Sequence, residues 1–368
     1  MVEPDAQSKQ EDGGTTMTDE FRIGLSPDFQ KLQIADTMHP VLQQKFGHLP
    51  FVSYDFWHQA GDVVTPDEVK DYDAVILLAS RFGPESLKGA ERLAIIARWG
   101  VGYDNVHVPA CTEADVLLAI TTDAVRRPMG ESIMAFLLAL SRKLVPKEKL
   151  ARTGRWDLRG QVLGTGLTGR TFGSVGVGNI GAEMFRLLRP FEPGRLLAHD
   201  PYVTGEQAAR LGVELVDLPT LLRESDYVII NCPLNDETRG MIGAELLSLM
   251  KPTAYLVNTA RGGIVKEAEL ITILREGKIA GAAIDVFEQE PTPPDNPLLQ
   301  LENVVLAPHS IAWGGDVFHA NSVDASDNVL TVLRGEVPRY TVNREVVERP
   351  GFQAKLRSLG QRWSTLAH

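Results

Sequence analysis

Residues 176–181 read "GVGNIG" and decide the fold. Their glycines, Gly176, Gly178 and Gly181, have the G-x-G-x-x-G spacing. An apolar run, "TFGSV", precedes them, and a helix-compatible run, "AEMFRLLRP", follows. In a strand–turn–helix unit, the first glycine permits the tight turn and the second lets the backbone approach a pyrophosphate. The third allows the helix to pack closely on the strand, so the stretch predicts a dinucleotide-binding turn.

The residues after the turn indicate which dinucleotide is bound. The N–H groups of Asn179 and Ile180 open the predicted helix, where the helix dipole favours a phosphate. Asp200 ends the next apolar run, "RLLAHD", nineteen residues beyond the third glycine. A carboxylate there accepts hydrogen bonds from ribose hydroxyls and would repel a 2′-phosphate, and Pro201 and Tyr202 follow it instead of an arginine. We therefore favour NAD over NADP, with a structural turn and a surface aspartate as the alternative.

The chain on both sides of this turn alternates strand-like and helical segments. Helical patterns occupy residues 130–144, 266–277 and 316–333. Apolar runs of strand length are "DAVILLAS" (73–80), "RLAIIAR" (92–98), "DVLLAITT" (115–122), "RLLAHD" (195–200), "DYVIINC" (226–232), "AYLVNTA" (254–260), "GAAIDVF" (281–287) and "NVVLAP" (303–308). Such alternation predicts an α/β fold with parallel, doubly wound sheets, which bind ligands at the carboxyl ends of their strands.

Composition and charge limit the class of protein. A length of 368 residues suggests two domains. The formal net charge is -11 and no Lys/Arg stripe stands out, which disfavours nucleic acid and anionic membranes as partners. The apolar run "IMAFLLAL" is too short to span a bilayer. The only two cysteines, Cys111 and Cys232, favour a reducing compartment, and with no secretory signal visible we expect a cytoplasmic protein.

Three further predicted strands are followed by ionisable residues. Arg261 follows one, Asp285, Glu288 and Glu290 follow the next, and His309 follows the last. Imidazole suits proton transfer near neutral pH, a neighbouring carboxylate favours its protonated form, and a guanidinium binds carboxylates. Taken singly, each is equally well explained as a surface arginine, a solvated acid or a packing histidine. Together, beside a dinucleotide site, they predict hydride and proton transfer at a carbon that bears oxygen.

The ordered motifs resemble those of a known family. The set "GVGNIG", "HD", "NTARGGIV", "DVFEQEP" and "PHS" is similar to that of the D-isomer-specific 2-hydroxyacid dehydrogenases. The segments "ARWGVGYDNV" (97–106) and "NCPLNDETRGMIG" (231–243) are similar to the family's substrate loop and cofactor-side loop. In all, the resemblance covers about residues 70–335.

The resemblance implies a role for individual residues. His309 matches the acid/base, Glu290 its carboxylate partner, and Arg261 the arginine that binds the substrate. The backbone N–H groups of Val101 and Gly102 match donors to the substrate carboxylate. Further positions that match the family's cofactor-lining residues are Cys232, Pro233, Thr259 and Asp285. No metal ligand is implied.

The resemblance also implies the domain organisation. We expect two doubly wound parallel-sheet domains, a Rossmann NAD-binding domain inserted in a flavodoxin-like substrate domain, and a homodimer. The expected segments are a disordered leader (1–19), the first part of the substrate domain (20–123), the NAD-binding domain (124–309), the return of the substrate domain (310–347) and a C-terminal tail (348–368). The sequence leaves open whether the tail caps the substrate cleft or is disordered.

The function that follows is NAD-dependent interconversion of a 2-oxo acid and an (R)-2-hydroxy acid. Hydroxypyruvate and glyoxylate are the first candidate substrates. A sugar acid or a phosphoglycerate-like acid is the other possibility if Arg81, Arg98 and Arg127 add positive charge, and the role of Arg126 is open. Formate-oxidising relatives are disfavoured because they have Gln where Glu290 stands. An NAD(H)-sensing binding protein of the same fold is the alternative from another class, and the acidic charge does not favour it.

Overall fold

The computed structural model describes residues 20–367, so the predicted leader (1–19) lies outside the described residues. Within them, the chain forms two compact units. The five-stranded unit comprises residues 20–99, 105–120 and 322–367. The seven-stranded unit comprises residues 100–104 and 121–321.

The sheet of the five-stranded unit is parallel throughout. Its strands are β1 (Phe21–Leu25), β2 (Val52–Phe56), β3 (Ala74–Leu77), β4 (Ile95–Arg98) and β5 (Leu117–Ile120). Their order across the sheet is β2-β1-β3-β4-β5, which is the flavodoxin-like order. Strands β3, β4 and β5 read "AVIL", "IIAR" and "LLAI" and are buried almost throughout. Such continuous apolar runs are typical of parallel sheets.

The sheet of the seven-stranded unit is also parallel. Its strands are β6 (Thr171–Val175), β7 (Arg195–His199), β8 (Glu214–Leu215), β9 (Tyr227–Ile230), β10 (Tyr255–Asn258), β11 (Gly281–Ile284) and β12 (Val304–Leu306). Their order is β12-β11-β10-β9-β6-β7-β8. The direction of winding reverses between β6 and β9, and open α/β sheets bind ligands at the carboxyl ends of the strands at such a point. The predicted fold class of two parallel-sheet α/β domains is therefore confirmed.

Helices connect the strands. The α-helices are α1 (Asp28–Lys31), α2 (Ala35–Phe46), α3 (Pro66–Val69), α4 (Val108–Glu113), α5 (Thr122–Ser141), α6 (Leu144–Arg152), α7 (Asn179–Leu188), α8 (Gly205–Arg210), α9 (Leu218–Glu224), α10 (Ala244–Leu247), α11 (Glu267–Arg275), α12 (Gly315–Leu333) and α13 (Pro350–Leu366). Short 3-10 helices lie at Pro84–Leu87, Trp156–Gln161, Arg189–Phe191, Gly262–Ile264, Pro297–Gln300 and Arg344–Glu348. In the seven-stranded unit, Ile133 and Leu137 of α5 share a buried core with Phe185 and Leu188 of α7, which fixes the helix that follows the glycine-rich turn.

Two boundaries differ from the predicted ones. Residues 100–104 and 121–123, expected in the substrate domain, belong to the seven-stranded unit. There the N–H of Gly100 donates to Oγ1 of Thr121 at 2.7 Å, and the N–H of Thr121 donates to the carbonyl of Gly100 at 3.0 Å. Residues 310–321, expected in the return segment, belong to the same unit, where Oγ of Ser132 donates to the carbonyl of Ile311 at 3.1 Å. These contacts shorten the predicted ranges 20–123 and 310–347.

The predicted tail, residues 348–368, contains the helix α13. Its buried side chains are Phe352, Leu356 and Leu359. Arg362 donates to Asp73, which is 1% exposed, at 3.0 Å, and Nζ of Lys355 donates to the carbonyl of Leu93 at 2.9 Å. The described part of the tail is therefore an ordered element of the five-stranded unit, held by apolar burial and by charge.

The longest helices within residues 20–367 are α5 and α12, with 20 and 19 residues. No helix in that range is both long and apolar enough to cross a membrane. In the same part of the chain, no three side chains of His, Cys, Asp or Glu are grouped so that they could hold a metal ion.

Candidate active site

The glycine-rich turn joins β6 to α7 at the carboxyl end of a central strand. Gly176 has a φ of +89°, a conformation that favours glycine. A β-carbon on Gly176 would lie 2.7 Å from the backbone nitrogen of Cys232, and one on Gly181 would lie 2.9 Å from the carbonyl oxygen of Gly176. Both glycines are therefore required by close backbone packing, as the motif predicts.

The face that the turn presents suits a dinucleotide. Helix α7 begins at Asn179, and Ile180 follows in its first turn, so their N–H groups have no partner within the helix. A β-carbon on Gly178 would meet no atom within 4 Å, which leaves the backbone there open to a ligand. An accessible backbone at the positive end of a helix dipole fits a pyrophosphate.

Asp200 follows β7 and is bonded to the same turn. Its Oδ2 accepts the N–H of Val177 at 2.9 Å, and its Oδ1 accepts the N–H of Tyr202 at 3.0 Å. These bonds fix the carboxylate beside the turn while each oxygen keeps a further lone pair. The arrangement fits a ribose whose hydroxyls donate to Asp200.

Three predicted cofactor-lining residues follow β9 and β10. Cys232 is half-buried, and burial raises the pKa of its thiol to about 11, so it is neutral at physiological pH and unsuited to act as a nucleophile. Pro233 is exposed, and its carbonyl accepts Oγ1 of Thr238 at 2.7 Å. Thr259 is buried directly after β10. All three lie at the carboxyl edge of the sheet, where a ligand is expected.

His309 and Glu290 form a direct pair. Nδ1 of His309 lies 2.6 Å from Oε2 of Glu290, and Oε1 of Glu290 accepts the N–H of Phe287 at 2.9 Å. Burial opposes ionisation of Glu290, but the hydrogen bond and charge of His309, together with the Phe287 N–H, outweigh it and lower the pKa of Glu290. The carboxylate is thus ionised and fixes one imidazole nitrogen, which leaves Nε2 to exchange a proton with a substrate.

Asp285 holds the backbone on which His309 stands. Its carbonyl accepts the N–H of His309 at 2.7 Å, and its Oδ1 accepts the N–H groups of Ser310 and Ile311 at 2.9 and 3.1 Å. Asp285 is 3% exposed, and burial raises its pKa. In this structure the side chain predicted to lie near the nicotinamide therefore also anchors the loop that carries His309.

Arg261 follows β10 and is held by its neighbours. Asn258, which is 2% exposed, donates from Nδ2 to the carbonyl of Arg261 at 3.0 Å and accepts the N–H of Ala260 at 3.1 Å. Nη1 of Arg261 donates to the carbonyl of Ala260 at 2.7 Å. The positive charge of Arg261 is also one of the influences that lower the pKa of Glu290, which places the two side chains in one electrostatic environment.

The loop at residues 100–104 packs against Arg261. A β-carbon on Gly102 would overlap Nη2 of Arg261, so only glycine leaves room for the guanidinium. Val101 packs with Val125 and Val317 and fixes the loop. Oδ1 of Asp104 accepts Nε of Arg261 at 2.7 Å. Sequence reasoning missed Asp104, because no local pattern connects an acid at this position with Arg261.

Two of the additional arginines, Arg126 and Arg127, lie close to carboxylates. Arg127 pairs with Glu131 at 2.5 Å and with Glu183 at 3.4 Å, and Arg126 lies 3.9 Å from Asp123. Arg81 and Arg98 belong to the five-stranded unit. Within the seven-stranded unit, the charges of Arg126 and Arg127 are therefore balanced by neighbouring carboxylates.

Comparison with known proteins identifies relatives of this chain. The sequence model of the NAD-binding domain of the D-isomer-specific 2-hydroxyacid dehydrogenases matches residues 134–310. The glyoxylate reductase of Korarchaeum cryptofilum is 41% identical over 293 residues, which cover 78% of this chain and 88% of that protein. The chain belongs to the D-isomer-specific 2-hydroxyacid dehydrogenase family. The D-3-phosphoglycerate dehydrogenase of Archaeoglobus fulgidus is 35% identical over 287 residues, which cover 78% of this chain and 54% of that protein.

Solved structures share the fold of this 2-hydroxyacid dehydrogenase. A Pyrococcus horikoshii protein has a TM-score of 0.77 and 26% identity, and the match covers 92% of this chain and 99% of that one. The NADPH-dependent glyoxylate/hydroxypyruvate reductase of Sinorhizobium meliloti, in complex with NADP and malonate, has a TM-score of 0.75 and 28% identity. That match covers 88% of this chain and 97% of the reductase. The predictions of the family and of a nicotinamide dinucleotide cofactor are confirmed.

Proposed function

We propose that the protein interconverts a small 2-oxo acid and the corresponding (R)-2-hydroxy acid, with NAD(H) as the hydride carrier. The observation that carries this proposal is the contact of 2.6 Å between His309 and Glu290, beyond β12. A histidine held by an ionised carboxylate is an acid/base, and Arg261, in the same electrostatic environment, is a carboxylate ligand. Arg261 would bind the carboxylate of a 2-oxo acid, and His309 would supply the proton that its reduction requires.

The residues would act in reduction as follows. Arg261 and the N–H groups of Val101 and Gly102 bind the substrate carboxylate, which orients the neighbouring carbonyl. NADH, when bound, supplies the hydride that C2 receives. Protonated His309 gives its proton to the oxygen of C2, and the carboxylate of Glu290 stabilises the imidazolium before that transfer. In oxidation, neutral His309 takes the proton back from the hydroxyl.

The residues around the glycine-rich turn support NAD as the preferred cofactor. Gly178 leaves the backbone open to a pyrophosphate, and Asp200 would meet the adenosine ribose with a negative charge. A 2′-phosphate on that ribose would be repelled by Asp200.

Glyoxylate and hydroxypyruvate are the proposed substrates. Several relatives, including that of Pyrococcus furiosus at 40% identity over 298 residues, are glyoxylate reductases. The pairing of Arg126 and Arg127 with nearby carboxylates supports a small, singly charged acid over a phosphorylated one.

The test is steady-state turnover of a panel of 2-oxo acids with NADH and NADPH, for the wild type and His309→Ala. We expect turnover of glyoxylate or hydroxypyruvate with NADH. The variant should bind NADH as the wild type does and lose about 10²–10⁴-fold in kcat, the usual contribution of an acid/base. Near-normal kcat in the variant would remove His309 from the mechanism. NADH binding without turnover of any acid would instead favour the sensor alternative.

We further propose that the protein is a homodimer in a reducing, cytoplasmic setting. Helix α6 and the 3-10 helix Trp156–Gln161 have no buried residue, and their segment exposes Leu144, Trp156 and Leu163. A nine-residue helix has little stability in water without packing, so we place a second copy of the chain on this face. Sedimentation should give a dimer that Trp156→Glu dissociates, and a monomeric wild type would overturn the proposal.

The thiols of Cys111 and Cys232 are free, which supports the proposed reducing compartment.

A further inference from the structure

The carboxylate of Asp104 on Arg261 has no part in the mechanism above. We propose that Asp104 is a positioning residue that fixes the Arg261 guanidinium and restricts the site to substrates with a single negative charge. The inference rests on the proposed function, because it concerns the substrate class of the same site. It follows from the donors of Arg261, from the balance of charge, and from the competition between carboxylates for this arginine.

The donors of Arg261 show how its orientation is set. Nε donates to Asp104 at 2.7 Å, and Nη1 donates to the carbonyl of Ala260 at 2.7 Å. Nη2 lies against the α-carbon of Gly102, where no side chain would fit. Two of the three guanidinium nitrogens are thus held by the protein, and the plane of the group is fixed. A substrate carboxylate must use the donors that remain, beside the backbone of Gly102.

The balance of charge shows what Asp104 excludes. Arg261 and a protonated His309 supply two positive charges. Asp104, paired with Arg261, and Glu290, paired with His309, supply two negative charges. A singly charged 2-oxo acid therefore adds one unbalanced negative charge, and a dicarboxylate adds two. Because the arginines at 126 and 127 are already paired, no cation in that pair is left to offset the second charge.

Competition between carboxylates explains why the arginine needs a partner of its own. The charge of Arg261 acts on Glu290 and contributes to lowering its pKa. A guanidinium released from Asp104 would be attracted to Glu290, which His309 needs as its partner. By holding Nε, Asp104 keeps Arg261 available to the substrate and Glu290 available to His309.

The experiment compares glyoxylate, a monoanion, with oxaloacetate, a dianion, in NADH-dependent reduction by the full-length protein. Asp104→Asn should lower kcat on both acids, because the guanidinium is less well fixed. It should also raise the ratio of kcat/KM for oxaloacetate to that for glyoxylate about ten-fold at low salt, with a smaller change at high salt. Asp104→Glu, which keeps the charge, should leave the ratio within about two-fold of the wild type. Asp67→Asn is the matched control. Oδ1 of Asp67 also lies 2.7 Å from a cationic nitrogen, Nζ of Lys70, but the Asp67 side chain is 87% exposed, on α3.

A purely structural role for Asp104 would lower activity on both acids equally, and an unchanged ratio in Asp104→Asn would overturn the proposal. Binding separates this failure from that of the proposed function. The dissociation constants of acetate and malonate for the NADH-bound protein are measured by calorimetry, and no turnover is needed. One outcome is that the wild type reduces neither 2-oxo acid, while Asp104→Asn strengthens the binding of malonate relative to that of acetate about ten-fold. The proposed function then fails, and the role of Asp104 stands. Equal effects on both anions reject that role.

Discussion

Replacing Glu290 by Gln tests the acid/base pair with almost no change in shape. Glu290 accepts from Phe287 with one oxygen and contacts Nδ1 of His309 with the other. A glutamine that keeps its oxygen on the Phe287 N–H must turn its NH₂ group toward His309. That group donates to Nδ1, so it favours the neutral imidazole and opposes the imidazolium. Reduction requires the imidazolium, because His309 must give a proton to the substrate oxygen.

The size of the effect follows from the geometry of the pair. His309 and Glu290 are 45% and 35% exposed, so water screens their attraction. Two unit charges about 4 Å apart, at an effective dielectric constant of about 40, attract by about 2 kcal/mol. Since about 1.4 kcal/mol is a factor of ten, the variant should lose about thirty-fold in kcat/KM for reduction at neutral pH. Oxidation should lose at least as much, because a glutamine NH₂ that donates to Nδ1 leaves the imidazole hydrogen on Nε2, which then has no lone pair to accept the substrate proton.

The assay is the pH dependence of kcat/KM in both directions, with Glu288→Gln as control because Glu288 lies on the same loop and is exposed. Glu290 has a lowered pKa, so its charge is present throughout an assay from about pH 5 to 9. Reduction by Glu290→Gln should therefore be slower than that of the wild type across this whole range, since the stabilising charge of Glu290 is present throughout it only in the wild type. Wild-type rates in Glu290→Gln, or an equal loss in Glu288→Gln, would refute the reasoning.

Three further predictions concern the cofactor, the substrate and stability. Asp200→Ala should weaken NADH binding about ten-fold and improve NADPH relative to NADH, measured by fluorescence titration; an unchanged ratio would contradict the role of this carboxylate. Gly102→Ala should displace Arg261 and lower kcat/KM at least ten-fold, with NADH binding and the melting temperature nearly unchanged, since only the end of a flexible side chain must move. Burial lowers the pKa of Lys355 to about 8, below its unfolded value of about 10.4, so the unfolded chain binds more protons between these pH values and stability rises with pH there. The free energy of unfolding, measured with urea at pH 8 and pH 10, should rise by about 2 kcal/mol in the wild type, after allowance for the partial exposure of Lys355. It should not rise in this way in Lys355→Met.

Local patterns in the sequence were enough for most of the fold. The run "DAVILLAS" contains β3 (Ala74–Leu77), and "GVGNIG" joins β6 to α7, because continuous apolar runs and glycine spacing report directly on burial and backbone conformation. Strands β2 and β8 gave no such signal. Strand β2 reads "VSYDF" and is only half-buried, and β8 has two residues. Short or partly exposed strands lack the periodicity on which sequence prediction depends.

The site was less accessible to the sequence, because its contacts join residues that are far apart in the chain. Arg261 and Asp104 are 157 residues apart, and no local pattern indicates which acid would meet Nε of the arginine. The resemblance to the family named Arg261, Glu290 and His309, and the structure brings the last two into contact. Their catalytic roles stay predictions until the variants are measured. The balance of charge around Arg261 became visible only when its contact with Asp104 was known.

The backbone at His309 gives an independent reason to assign it a function. His309 has a φ of +52°, a region that residues other than glycine seldom adopt and that costs about 1–3 kcal/mol. Glycine or asparagine would relieve this strain, and a histidine that is 45% exposed gains little from burial. The cost is met by Asp285, whose carbonyl and carboxylate accept three consecutive N–H groups from His309 to Ile311. The imidazole is strained and exposed, and it is held by a buried carboxylate on its backbone and an ionised one on its ring. This arrangement supports the proposed role of Nε2 in proton transfer, since packing alone would favour neither the residue nor the conformation.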